Sequence, residues 1–76
     1  AEESRTMIFY ESPYRLIKTL EDLSLFFGPE REACVSRELT KIFEENIRGT
    51  ISFLIDHYKK HTPKGEIVIT VAGKKL

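Results

Sequence analysis

Two amphipathic stretches, each with its own start and stop signals, limit what this chain can fold into more than any other feature. Ser12-Pro13 sets a capping residue before a proline suited to the first turn of a helix, and Gly28-Pro29 sets a C-terminal glycine before a proline that cannot continue one. Between them Leu16, Leu20, Leu23 and Phe27 recur at helical spacing, with Ile17 beside them. A helix from Pro13 to about Phe27 therefore lays one apolar stripe against a sheet. Gly49-Thr50 opens the second stretch, in which Ile51, Leu54, Ile55 and Tyr58 share a face. Lys59, Lys60 and His61 suit the negative end of that helix, and Thr62-Pro63-Lys64-Gly65 breaks it.

The other apolar runs are short and read as strands: Thr6 to Tyr10, Ala33 to Arg37, Phe43 to Arg48 and Ile67 to Ala72. A polar turn around Thr40-Lys41 makes the second and third antiparallel neighbours. The β-branched run Ile67-Val68-Ile69-Thr70-Val71 suits an interior position. The expected class is α/β, more narrowly α+β: two helices packed on a four-stranded mixed sheet, in the order β-α-β-β-α-β. The ferredoxin-like fold, which many RNA-binding modules use, has the same order.

A chain of 76 residues makes one domain, and one that buries only about 60% of its unfolded surface. Twelve basic and twelve acidic residues cancel, so no long-range field draws the domain to nucleic acid or membrane, and any RNA contact must be local. The single cysteine, Cys34, cannot form an internal disulfide, which points to a reducing compartment, and it reads as a small buried hydrophobe. No run approaches the roughly 20 apolar residues that cross a bilayer. Ala1-Glu2-Glu3-Ser4-Arg5 is too acidic and polar for a signal peptide, so a soluble cytoplasmic protein is expected.

Chemistry-bearing residues gather where apolar runs stop. Arg37, Glu38 and Lys41 stand at the end of the second predicted strand, where two cations and a carboxylate can orient a phosphate or ribose. The same residues also make an ordinary surface ion-pair cluster with Glu44 and Glu45. Glu11 ends the first strand, placed to accept hydrogen bonds from a ligand, to pair with Arg15, or to favour the positive end of the first helix. Ser12 reads as a cap rather than a nucleophile, because no base is marked near it. His57 and His61 have a spacing that can share a metal. Without a third ligand they read as solvated histidines near a helix C-terminus. The aromatic residues fall mostly on apolar faces, and the third strand lacks the basic and aromatic pattern of an RNA-recognition sheet.

Three segments also share a wording. Thr6-Met7-Ile8-Phe9-Tyr10-Glu11-Ser12-Pro13-Tyr14-Arg15-Leu16, then Ser36-Arg37-Glu38-Leu39-Thr40-Lys41, then Lys64-Gly65-Glu66 together resemble the family of ribosomal RNA small-subunit methyltransferase I. That family belongs to the tetrapyrrole methylase-like group, which uses S-adenosylmethionine. The resemblance implies that residues 1–76 are a single C-terminal subdomain of a larger enzyme. The family's Gly-rich cofactor domain would precede it and a basic helical tail would follow, since Gly28, Gly49, Gly65 and Gly73 form no such cluster. It implies methyl transfer to the 2′-oxygen of a cytidine, with Tyr10, Glu11, Ser36 and Lys64 on the cofactor wall and Arg15, Arg37 and Lys41 toward RNA phosphate. Serine at position 36 is a mild departure from the alanine common there, and its small size keeps close approach to the cofactor open. No catalytic base is identifiable, and the fragment alone is expected to be inactive. The implied partners are small-subunit ribosomal RNA, the enzyme's own N-terminal domain and a second copy in a homodimer. Two alternatives stay open: a tetrapyrrole methylase with another substrate, and a non-catalytic ferredoxin-like binding or dimerisation module. A mixed sheet is expected of the methylase and a fully antiparallel one of the module.

Overall fold

Strand β1 (Met7–Glu11) leads through a 3-10 turn (Pro13–Arg15) into helix α1 (Leu16–Phe27), followed by β2 (Glu32–Thr40), β3 (Phe43–Thr50), α2 (Ile51–Lys60) and β4 (Ile67–Val71) in a computed structural model. The structure describes residues 6–40, 43–63 and 65–73. The element order is the one expected, with two helices on a four-stranded sheet. Proline at the start of the 3-10 turn fixes φ without removing a bond that any helix would make. Gly28 closes α1 at φ +95°, a backbone conformation that glycine adopts without strain, while its N–H donates to the Ser24 carbonyl at 2.8 Å. Thr50 caps α2 through its hydroxyl, which accepts from the Phe53 N–H at 3.0 Å. Ser12 does not cap: its side chain makes no cap bond, and its own N–H is taken by the Glu11 carboxylate at 3.0 Å.

The sheet order is β1-β4-β2-β3, and every neighbouring pair is antiparallel. The expectation of a mixed sheet is therefore corrected. Each helical connection skips one strand: β1 and β2 run parallel with β4 between them, and β3 and β4 run parallel with β2 between them. Two interleaved split β-α-β units thus make an antiparallel sheet out of parallel crossovers. Antiparallel pairing is what the ferredoxin-like alternative required, but the strand order is not that fold's, in which β1 and β3 are interior. Here β2 and β4 are interior, as the β-branched run of β4 foretold.

Both helices cover the same face. Leu16, Leu20 and Leu23 of α1 meet Ile51, Leu54 and Tyr58 of α2 over Ala33 and Val35 of β2 and Ile67, Ile69 and Val71 of β4. Alternation along β4, buried at 67, 69 and 71 and half-buried between, marks one packed and one open face. The open face carries Ile8 and Tyr10 of β1, both exposed, with Val68, Thr70, Cys34 and Ser36 half-buried beside them. Cys34 is accordingly not a core residue, as its sequence neighbours suggested, but a half-buried thiol on the open face, 3.6 Å from the Ser36 hydroxyl.

Candidate functional site at one end of the sheet

Antiparallel register brings Glu11, Ile67, Arg37 and Glu45 into one row across all four strands. This row lies at the end of the sheet where β1 stops, α1 begins, α2 ends and β4 starts. Glu11 is held by three groups: the Ser12 N–H at 3.0 Å, the Thr19 hydroxyl at 2.8 Å and, more loosely, Arg15 Nε at 3.6 Å. The Thr19 bond is the largest cause that holds its carboxyl below the usual 4.5, followed by the Ser12 bond, with Arg15 contributing least. Glu11 is thus an ionised acceptor already engaged with protein donors. Thr19 was not foreseen, although positions 11, 15 and 19 follow the four-residue helical interval and could have suggested it.

Tyr10 and Ser36 occupy the next row, on the open face, with Val68 between them in register. Two strand spacings put their backbones roughly 10 Å apart. The tyrosine ring is 81% exposed, so it is free to lie against a ligand rather than being a core aromatic. Because side chains alternate, Tyr10 and Ser36 project to the face opposite Glu11 and Arg37. The residues expected on the cofactor wall are therefore split, with Tyr10 and Ser36 on the open face and Glu11 on the helix-covered face beside Arg37. Lys41 and Lys64 lie outside the described residues.

Arg37 does not stand beyond the end of a strand. β2 continues to Thr40, so Arg37 lies within it and faces the helices, with Nε donating to Glu45 Oε1 at 2.9 Å. Extra pairing carries the strand onward, because the β2–β3 hairpin projects past β1 and β4 and irregularity enters only at Leu39, where Glu38 opposes Glu44 and Thr40 opposes Phe43. Against this ion pair lies Tyr58, whose hydroxyl is buried and has no hydrogen-bond partner among the described residues. Burial pushes the phenol up to about 12, the Glu45 charge adds to this, and the Arg37 charge opposes it.

Openings lined by described residues lie at this end. A cleft of about 370 Å³ is lined by Tyr10, Glu11, Ser12, Pro13, Gly65, Glu66 and Ile67. A second, of about 420 Å³, lies among Pro13, Tyr14, Thr62, Pro63 and Gly65. A third, of about 230 Å³, lies between α2 and the β2–β3 pair and is lined by Arg37, Glu45, His57, Tyr58 and His61 among others. Tyr14, 98% exposed, and Glu66 border these clefts and were passed over in the sequence because neither follows a pattern. The His57 and His61 rings lie 4.8 Å apart, and His57 also stacks on Phe53. Among the described residues no group of three or more metal-ligating side chains comes together.

No family model matches the chain. It is 49% identical over 73 residues to Ribosomal RNA small subunit methyltransferase I of Synechocystis, a match covering 96% of this chain and 26% of that protein. It is 42% identical over 73 residues to the protein of the same name from Thermotoga maritima, covering 96% of this chain and 32% of the relative. With that of Mesorhizobium japonicum it shares 52% identity over 67 residues, 87% of this chain and 23% of the relative. The family resemblance of the three motif segments thus extends along nearly the whole chain, which spans between about a quarter and a third of the length of these curated relatives.

Proposed function

We propose that this chain is the C-terminal part of an S-adenosylmethionine-dependent methyltransferase that modifies the 2′-oxygen of a cytidine in small-subunit ribosomal RNA, and that it forms one wall of the cofactor and substrate cleft. The observation carrying this reading is sequence identity of 42–52% to relatives of that name over most of the chain. Geometry supports it, since the three motif segments lie far apart in sequence and their described residues converge on one end of the sheet.

The residues present suit part of the cofactor. The exposed Tyr10 ring beside the cleft it shares with Glu66 offers a flat apolar surface for a heterocycle, and a carboxylate for ribose hydroxyls or an ammonium group. Ser36 keeps the neighbouring open face low. When bound, the cofactor supplies a methyl group activated by its own sulfonium. What the protein adds is alignment of acceptor and donor. Arg15, 69% exposed at its side chain, retains donors for RNA phosphate beyond its loose contact with Glu11. Arg37 and Lys41 are assigned to the same task, and the cytoplasm is the matching compartment. The N-terminal domain and a second copy of the protein complete the cleft.

Isothermal titration of S-adenosylmethionine into the whole protein, followed by methyl transfer to small ribosomal subunits, tests the assignment. Binding and transfer are expected, with affinity reduced in Tyr10→Ala and Ser36→Leu. Absence of cofactor binding in the wild type would overturn the methyltransferase reading in favour of a non-catalytic binding module. Unchanged affinity in both variants would remove these two residues from the cofactor wall.

A further inference from the structure

The cavity between α2 and the β2–β3 pair holds an arrangement that deepens the assignment of Arg37 to phosphate made above. Arg37 and Glu45 form an ion pair at 2.9 Å along one side, and Tyr58, 4% exposed, lines the other with its hydroxyl unpartnered among the described residues. A buried hydroxyl without a partner is costly, and such a group in a native fold calls for an explanation. The Tyr58 hydroxyl can donate to an acceptor, and the acidic group among the cavity's described lining residues, the Glu45 carboxylate, is committed to Arg37. The pair is partly exposed, with 22% and 37% of the two side chains accessible, so the carboxylate has room to move. A ligand able to take over the guanidinium would release Glu45 toward Tyr58, and the unpaired hydroxyl would gain the acceptor it lacks. Guanidinium pairs with planar or tetrahedral oxyanions through parallel donors, and a phosphate group is small enough for the opening of about 230 Å³.

We propose that this cavity takes a phosphate group, with Arg37 as its ligand and Tyr58 as the positioning residue that receives the Glu45 carboxylate the phosphate displaces. Glu45 then acts as an internal stand-in for the ligand, holding the guanidinium in place until an oxyanion arrives. Thr62 and the two imidazoles at the mouth add further donors. An RNA backbone and free phosphate or nucleotide share this chemistry. Only the first source rests on the methyltransferase reading.

The test is isothermal titration of inorganic phosphate, and separately of a short single-stranded RNA, into the whole protein and into Arg37→Ala, Glu45→Ala, Tyr58→Phe and the double variant Glu45→Ala/Tyr58→Phe. Arg37→Ala should abolish phosphate binding. Glu45→Ala should tighten it by up to about fivefold, the worth of a partly exposed pair. Tyr58→Phe should weaken it by about fivefold, the worth of one hydrogen bond, while leaving the thermal melt unchanged or raised. In the Glu45→Ala background Tyr58→Phe should have no further effect, because no carboxylate remains to be received. Equal effects of Tyr58→Phe in both backgrounds, or phosphate binding untouched by Arg37→Ala, would overturn the proposal. The same ranking with RNA identifies the backbone as the source, and ranking with phosphate alone identifies a free anion. Methyl transfer measured on the same samples separates the two readings: wild-type transfer without this ranking overturns only the cavity, and the ranking without transfer overturns only the methyltransferase.

Discussion

The Glu11 carboxyl is held below its ordinary value chiefly by a hydroxyl eight residues away, and this gives it a pH signature. Its carboxyl is lowered chiefly by the Thr19 bond, then by the Ser12 N–H. A lowered folded-state value contributes stability that is fully present above the unfolded value near 4.5 and is lost as pH falls through the lower folded value. Thr19→Val removes the first cause, so the Glu11 titration followed by carbonyl NMR should move upward. The stability difference between wild type and variant should be present at neutral pH and shrink as the solution is acidified through the Glu11 transition. A Glu11 titration unmoved by Thr19→Val would mean that Arg15 and the Ser12 N–H govern it instead. Arg15, at 3.6 Å and well exposed, is too loose to be expected to do so.

The two helix starts looked alike in the sequence and differ in the fold. Thr50 accepts the Phe53 N–H through its hydroxyl, whereas the Ser12 side chain makes no cap bond and the Arg15 N–H donates to the Ser12 backbone carbonyl at 3.1 Å instead. Thr50→Ala should cost about 1 kcal/mol of unfolding free energy, and Ser12→Ala should stay within about 0.5 kcal/mol, as measured by urea denaturation. Equal costs would show that the Ser12 hydroxyl caps after all. Helix limits were legible because Pro13, Gly28 and Thr50 act locally, through φ and a few hydrogen bonds. The β-branched run of β4 placed that strand in the interior for the same kind of reason. What local signals could not reveal was the pairing of distant strands. The direction of each neighbour depends on which strand a crossover skips, so the mixed sheet was misjudged. The length of β2 depends on β3, which carries pairing three residues past Arg37 and turns a supposed strand-end cation into a strand-borne ion pair. Motif wording picked out residues that gather at one end of the sheet, yet the placement of Tyr10 and Ser36 on one face and Glu11 and Arg37 on the other required the register.

As a whole, the molecule packs one side of its sheet and leaves the other bare, and the two sides should respond differently to truncation. A chain of this length has a net stability of about 4–11 kcal/mol, drawn from a single helix-covered core. Leu54, fully buried between α2, α1 and the sheet, should lose about 2–5 kcal/mol on substitution by alanine, because surrounding side chains can only partly close the space left behind. That is enough to unfold much of the population at modest urea. Tyr10 is as large a residue in a strand of the same sheet, yet its ring projects from the bare side, and Tyr10→Ala should change the unfolding free energy from urea denaturation by no more than about 0.5 kcal/mol. The comparison isolates what the open face does. A small cost leaves Tyr10 available for a ligand and makes any loss of cofactor affinity in the same variant a binding effect. A cost approaching that of Leu54→Ala would mean that in solution the bare face is packed against protein, and that the ring is part of an interface instead of a cofactor wall.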